Sequence, residues 1–321
     1  MIRTQTVPLS QTDRRRRYTL LALVVLLATA LAVVAPGSSR AAGESAAAAA
    51  THPGTSPGWA ALGAAPHAVP AGARPDGARS AKPTVVLVHG AFADSSGWSQ
   101  SITQLTEDGY PTVAVANPLR GLTFDSDYVR SVLQTIPGPI VLVGHSYGGA
   151  VITNAARGVP NVRALVYAGA FVPDAGESIA TAADPTRFPG SLLGPDTTIV
   201  RPTANPAAAG GQDVDIYISL DAFRRVFAGD VSAERARVMA RTQRPLTATA
   251  NFEPSGEPAW KSLPSWDLIT MVDNAIPPAA QQFMASRAGA HIATVASAHD
   301  VMVSHPDAVT HIVEQAARAV S

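Results

Sequence analysis

Ile140-Val141-Leu142-Val143-Gly144-His145-Ser146-Tyr147-Gly148-Gly149 joins an unbroken apolar run to a helical segment through a glycine-flanked serine. A run of Ile, Val and Leu with no polar alternation is the pattern of a strand buried on both faces. Glycines two before and two after Ser146 leave room for a turn too sharp for side chains. Such a turn lifts the serine hydroxyl out of a sheet. It also aims the next helix N-terminus, and the Tyr147 N–H, at the oxygen of whatever the hydroxyl attacks. The glycines at 144, 148 and 149 do not have the spacing of a dinucleotide fingerprint.

Outward from this stretch, further β-rich runs occupy residues 84–88, 112–116, 164–167, 267–272 and 292–296. Helical stretches separate them, for example residues 149–157 and Pro306–Val320. In the last helix Val309, Ile312, Val313 and Ala316 share a face, and Pro306 suits its first turn. This alternation predicts an α/β fold: a mostly parallel six-stranded sheet flanked by helices. Residues 174–264 interrupt the alternation without a convincing strand. Leu220, Phe223 and Phe227 have amphipathic helical spacing, and Ser232 is placed to cap a second helix through Arg241. The expectation is a helical lid inserted before the last two strands.

A serine hydroxyl needs a base. Of eight histidines, His299 stands just beyond the last strand and before the final helix, on the sheet edge where Ser146 is expected. His52 and His67 lie far upstream, His145 belongs to the turn itself, His291 precedes a strand, and His305 and His311 belong to the last helix. Asp273 follows the penultimate strand and is the candidate acid, in the order Ser, Asp, His. Asp174 is its rival. After the first strand comes His89-Gly90-Ala91-Phe92. The glycine allows an N–H to swing into the site, with Ala91 the preferred second oxyanion donor beside Tyr147, and Phe92 the alternative. His89 is expected to orient that loop. Phe92, Trp98, Phe171, Phe223, Phe227 and Trp260 are the aromatic candidates for an apolar substrate pocket, Phe92, Phe171, Phe223 and Phe227 foremost.

The chain has 321 residues, 46% hydrophobic and 15% charged, and no cysteine. Disulfides, thiolate metal sites and a cysteine nucleophile are thereby excluded, and no metal motif is present. Residues 1–41 carry six basic residues and one acidic. The remainder has 18 basic against 23 acidic, so no global attraction to nucleic acid is expected. Arg14 to Arg17, the uncharged run 18–35 and a small-residue exit near Ala41 have the three parts of a secretory signal. The expected product is a secreted protein touching membrane only through that segment. An anchor formed by residues 18–35 is the alternative. Residues 42–80, rich in Ala, Pro and Gly, read as a disordered linker, and 81–321 as the folded domain.

These residues carry a family resemblance. From Lys82 onward, about three quarters of the chain, the sequence resembles the α/β-hydrolases. Within them it is similar to the group of bacterial esterases, plant methyl esterases and hydroxynitrile lyases. The shared features are V-V-L-V-H-G-A at Val85 to Ala91, G-H-S-Y-G-G-A at Gly144 to Ala150, and D-x-x-I-P-P from Asp273. A single histidine in a short loop before the last helix is the fourth. The resemblance implies a six-stranded parallel sheet, a lid, a Ser146–Asp273–His299 triad, a small-molecule ester substrate and no cofactor. In the lyases a threonine stands where this chain has Gly90, and a lysine where it has Asp300. Both differences favour hydrolysis over cyanohydrin cleavage. Thioester or C–C cleavage on the same residues, and a ligand-binding protein retaining the fold, are the alternatives.

Overall fold

Thr84 to Val88 and Ile140 to His145 are apolar runs that lie side by side in the sheet, buried along almost their whole length. The computed structural model describes residues 82–321. The expected signal and linker, residues 1–41 and 42–80, lie outside the described residues. Strands β1 (Thr84–Val88), β2 (Thr112–Val115), β3 (Ile140–His145) and β4 (Val162–Ala168) enter the main sheet in turn. After the lid come β8 (Ser265–Thr270) and β9 (His291–Val295). The order is β2-β1-β3-β4-β8-β9, and every pairing is parallel. All six residues of β3 are buried, whereas β9 at the edge is largely exposed. The order turns back between β1 and β3, so a cleft opens at the carboxyl ends of these strands.

Helices cover the sheet. The first three are α1 (Ser99–Glu107), α2 (Leu122–Thr135) and α3 (Tyr147–Ala155). Between β4 and β8 lie α4 (Ile179–Ala182), α5 (Leu220–Val226), α6 (Ala233–Thr242) and α7 (Ala248–Phe252). Last come α8 (Pro278–Arg287), α9 (Val301–Ser304) and α10 (Pro306–Val320). Helix α10 packs on β4, β8 and α1, and α2 packs on α3. The expected apolar face of α10 is the buried one: Val309, Ile312, Val313 and Ala316 are each at most 1% exposed.

The lid departs from the purely helical expectation. It also contains a three-stranded antiparallel sheet, β5 (Thr198–Ala204), β6 (Gln212–Ile218) and β7 (Leu246–Thr247), in the order β5-β6-β7. Pro202 within β5 removes a ladder donor, which is tolerated because β5 is an edge strand and mostly exposed. The alternation Val214, Ile216, Ile218 in β6 is the period-2 signal that marks this strand. Ser232 caps α6 as its position suggests, accepting the Arg235 N–H at 3.2 Å. The lid is fastened by Arg120, which pairs with Asp215 of β6 at 2.7 Å.

Candidate active site

Ser146 stands between β3 and α3 with φ 54° and ψ −125°, a left-handed conformation that costs energy for any residue with a side chain. The neighbours enforce it. A Cβ on Gly148 would sit 2.4 Å from the Val88 carbonyl oxygen, and one on Gly144 would sit 2.6 Å from that of Gly148. Helix α3 therefore approaches the end of β1 only because Gly148 lacks a side chain, and folds back on the end of β3 only because Gly144 does. The Tyr147 ring is buried, and its hydroxyl donates to Asp125 Oδ2 at 2.7 Å. Burial pushes the Asp125 carboxyl up to about 6, against hydrogen bonds from the Arg120 N–H and Tyr147. The Tyr147 side chain thus anchors the turn, while its backbone N–H opens the helix at the site.

Ser146, His299 and Asp273 come together from the ends of three different strands. Ser146 Oγ lies 2.8 Å from His299 Nε2, and His299 Nδ1 lies 2.7 Å from Asp273 Oδ2. The carboxylate beside Nδ1 is an acceptor, so the neutral ring carries its proton there and turns a lone pair on Nε2 toward the hydroxyl. All three side chains are buried, at 5% or less exposed. Asp273 is held from every side. Its Oδ1 accepts the N–H groups of Ala275 and Ile276 at 2.7 and 2.9 Å. Its Oδ2 accepts the Thr270 hydroxyl at 2.7 Å and the Gln281 amide at 2.9 Å. Neither Thr270 nor Gln281 stands in a motif that marks it in the sequence. Asp174, the rival acid, instead pairs with Lys261 at 3.0 Å on the surface.

Two further histidines brace this arrangement. His145 Nε2 lies 2.9 Å from the His299 carbonyl oxygen and donates to it. Burial, then the neighbouring His299, holds the His145 imidazole well below its usual range, so it is neutral. His89 takes the loop-orienting place expected of it. Its Nε2 accepts the Asn117 N–H at 3.1 Å, so Nδ1 donates to the Gly90 carbonyl at 2.9 Å. Burial lowers its pKa to about 4. The loop after β1 also separates the two oxyanion candidates. The Phe92 N–H is taken by the Arg244 carbonyl at 2.9 Å, and Phe92 adopts φ 61° to reach it. Ala91 and Tyr147 are left as the candidate donors.

A cavity of about 330 Å³ opens beside Ser146 and His299. Phe171, Ile179, Leu193, Ile216, Leu246, Phe252 and Ile276 are among its lining, and no Asp, Glu, Lys or Arg is. Phe92 and Phe171 line it. Phe223 and Phe227 do not, contrary to the expectation for the pocket. Phe227 packs its ring edge-on against His299, with centroids 5.0 Å apart, and Phe223 lies behind it, fully buried. Trp98 and Trp260 also stand outside this lining. A larger hollow of about 580 Å³ lies near the start of β4, bounded by Val162, Leu263 and Val320, remote from Ser146 and His299. Among the described residues, no group of three or more His, Asp or Glu side chains is arranged to hold a metal ion.

The model of the alpha/beta hydrolase family matches residues 85–312. The chain belongs to that family. A carbendazim-hydrolysing esterase of Nocardioides sp. is 36% identical over 107 residues, 29% of this chain and 44% of that enzyme. The match thus spans under half the length of that relative. An α/β-hydrolase of Aspergillus novofumigatus is 24% identical over 260 residues, covering 74% of this chain and 97% of its own. Among solved structures, polyneuridine aldehyde esterase superposes with a TM-score of 0.62 at 19% identity, over 73% of this chain and 98% of that one. That likeness is one of fold. The six-stranded parallel sheet flanked by helices is the α/β-hydrolase fold of that family.

Proposed function

We propose that the protein hydrolyses carboxylic esters of neutral, apolar acids through an acyl-enzyme on Ser146. The observation that carries this reading is the hydrogen-bonded chain Ser146–His299–Asp273 at the mouth of a cavity without charged lining. Ser146 Oγ attacks the ester carbonyl carbon while its proton passes to His299 Nε2. Asp273 holds the ring's tautomer and stabilises the imidazolium. The carbonyl oxygen, now an anion, meets the Ala91 N–H of the loop after β1 and the Tyr147 N–H at the start of α3. His299 returns the proton to the departing alcohol oxygen. Water then repeats the sequence on the acyl-serine and frees the acid. We also propose that the mature protein is exported, on the charged flank and apolar run of residues 14–35; N-terminal sequencing of protein recovered from the medium tests that, and full-length chain found only in membranes would overturn it.

A fluorophosphonate probe and p-nitrophenyl esters of rising acyl length test the function. Labelling at Ser146 and ester turnover are expected, with Ser146→Ala losing both by several orders of magnitude while staying folded. Turnover by clean Ser146→Ala within tenfold of the parent would remove Ser146 from the mechanism. An unlabelled, inactive parent would favour a ligand-binding protein on the same fold.

A further inference from the structure

The loop that carries His299 is held from the lid as well as from the sheet. Asp230, between α5 and α6, reaches it with Oδ2, which accepts the Ala298 N–H at 2.9 Å and the Ser297 hydroxyl at 3.1 Å. The Asp300 N–H adds a main-chain tie to the Phe227 carbonyl at 3.2 Å. These contacts bracket His299 on both sides, and the Phe227 ring packs on its imidazole. The Asp300 side chain is fully buried, and no donor from another residue reaches either of its oxygens. Asp230, whose Oδ2 holds the two residues before His299, is the neighbouring carboxylate, and its charge bears on Asp300. Asp300 is buried while Asp230 keeps an exposed edge, so when two carboxyls meet here Asp300 is the one that keeps a proton, and the pair holds one proton between them.

We propose that Asp230 is a positioning residue for His299, and that its hold on the histidine loop depends on one proton shared with Asp300. The proposal rests on the reading of His299 as the base. Burial, and next the charge of Asp230, pushes the Asp300 carboxyl up to about 8. Arg235 on α6 opposes the rise, and the His305 ring stands 3.5 Å from Asp230 on the far side. At pH 7 Asp300 therefore carries the proton and donates it to Asp230. As pH rises through about 8 the proton leaves, two like charges face each other, and the lid pushes away from the loop it was holding.

The test is kcat for p-nitrophenyl butyrate between pH 6 and 10, each variant scaled to its own plateau. The parent is expected to lose activity above about pH 8. Asp300→Asn keeps an N–H toward Asp230 with no proton to lose, so its alkaline fall should move up by a pH unit or more. Asp230→Ala removes the acceptor and should lower kcat at least tenfold with KM within threefold. Asp230→Asn should recover much of that loss, because its amide oxygen still accepts from Ala298 and its NH₂ can donate to ionised Asp300. An unmoved alkaline limb in Asp300→Asn, or an Asp230→Ala kcat within twofold of the parent, overturns the proposal. Thermal unfolding gives a readout independent of turnover. A carboxyl whose folded pKa is raised loses stability as pH climbs from its unfolded value to its folded one. The Tm advantage of Asp300→Asn over the parent should thus widen from pH 5 to about 8 and then level. A constant gap would sink the shared proton even if the parent turned over no ester, whereas failure of Ser146 to label would sink the hydrolase reading alone.

Discussion

Gly90 faces Ser146 across the cleft so closely that a Cβ built on it would lie 2.5 Å from Ser146 Cβ and 2.7 Å from the His145 carbonyl oxygen. Its φ is not in the left-handed region, so the backbone tolerates alanine and the conflict is one of space alone. The added methyl must push the nucleophile or the β1 loop by several tenths of an ångström. Gly90→Ala is therefore expected to lower kcat/KM about 10²-fold, the scale on which small misplacements act. Steady-state kinetics on protein with a parental circular dichroism spectrum checks it; activity within threefold of the parent would show that the elbow yields freely.

Asp273→Asn should reduce kcat by about 10⁴-fold, because an amide beside Nδ1 favours the wrong tautomer of His299. Asp174→Asn should stay within threefold of the parent, since that residue forms a partly exposed pair with Lys261 and accepts the adjacent Ala175 N–H. Side-by-side kinetics of the two variants decides it, and a crippled Asp174 variant would refute the acid assignment.

Asp267 is fully buried in β8, between β4 and the edge strand β9 and beside Tyr167, and neither carboxyl oxygen has a partner. Burial raises its pKa well above the usual carboxylate range. With the folded pKa above the unfolded one, the stability it permits is full at low pH and declines as pH rises. Asp267→Val, β-branched and apolar, is expected to stabilise the fold by about 1–3 kcal/mol near neutrality, the cost of an unsatisfied buried polar group. The gain should grow with pH. Urea unfolding at pH 5 and pH 8 measures it, and equal or negative gains at both would contradict the argument.

The uncharged cavity predicts discrimination by charge. Moving a carboxylate into it without a partner costs several kcal/mol, and each 1.4 kcal/mol is about tenfold. The mono-p-nitrophenyl ester of succinate should show kcat/KM at least 10²-fold below that of p-nitrophenyl butyrate, which is similar in length. Comparable values for the two would mean that a cationic group reaches the acyl site.

Much of this molecule was legible along the chain because its cues are short-range. Gly144 and Gly148 mark the elbow, since no side chain fits where α3 meets β1. Unbroken Val and Ile runs mark buried parallel strands, and Pro306 opens α10 where the helix begins. His299 was legible from its place after the last strand. The lid sheet was harder to read: β5 carries Pro202 and lies exposed, so the usual apolar signal is weak there. What remained depended on which distant groups the topology brings together. The Arg244 carbonyl, from the lid, occupies the Phe92 N–H and leaves that of Ala91. Lys261 engages Asp174, while Asp273 turns to His299 with Thr270 and Gln281 behind it. Phe227, spaced like a pocket residue, packs against the imidazole instead, and Asp230 meets Asp300 from another part of the chain. Backbone sterics and hydrophobic periodicity act between near neighbours, so the sequence by itself determines the elbow and the sheet. Hydrogen bonds among buried polar groups act across the fold, so only the tertiary structure decides which acid, which amide and which lid residue stand at Ser146 and His299.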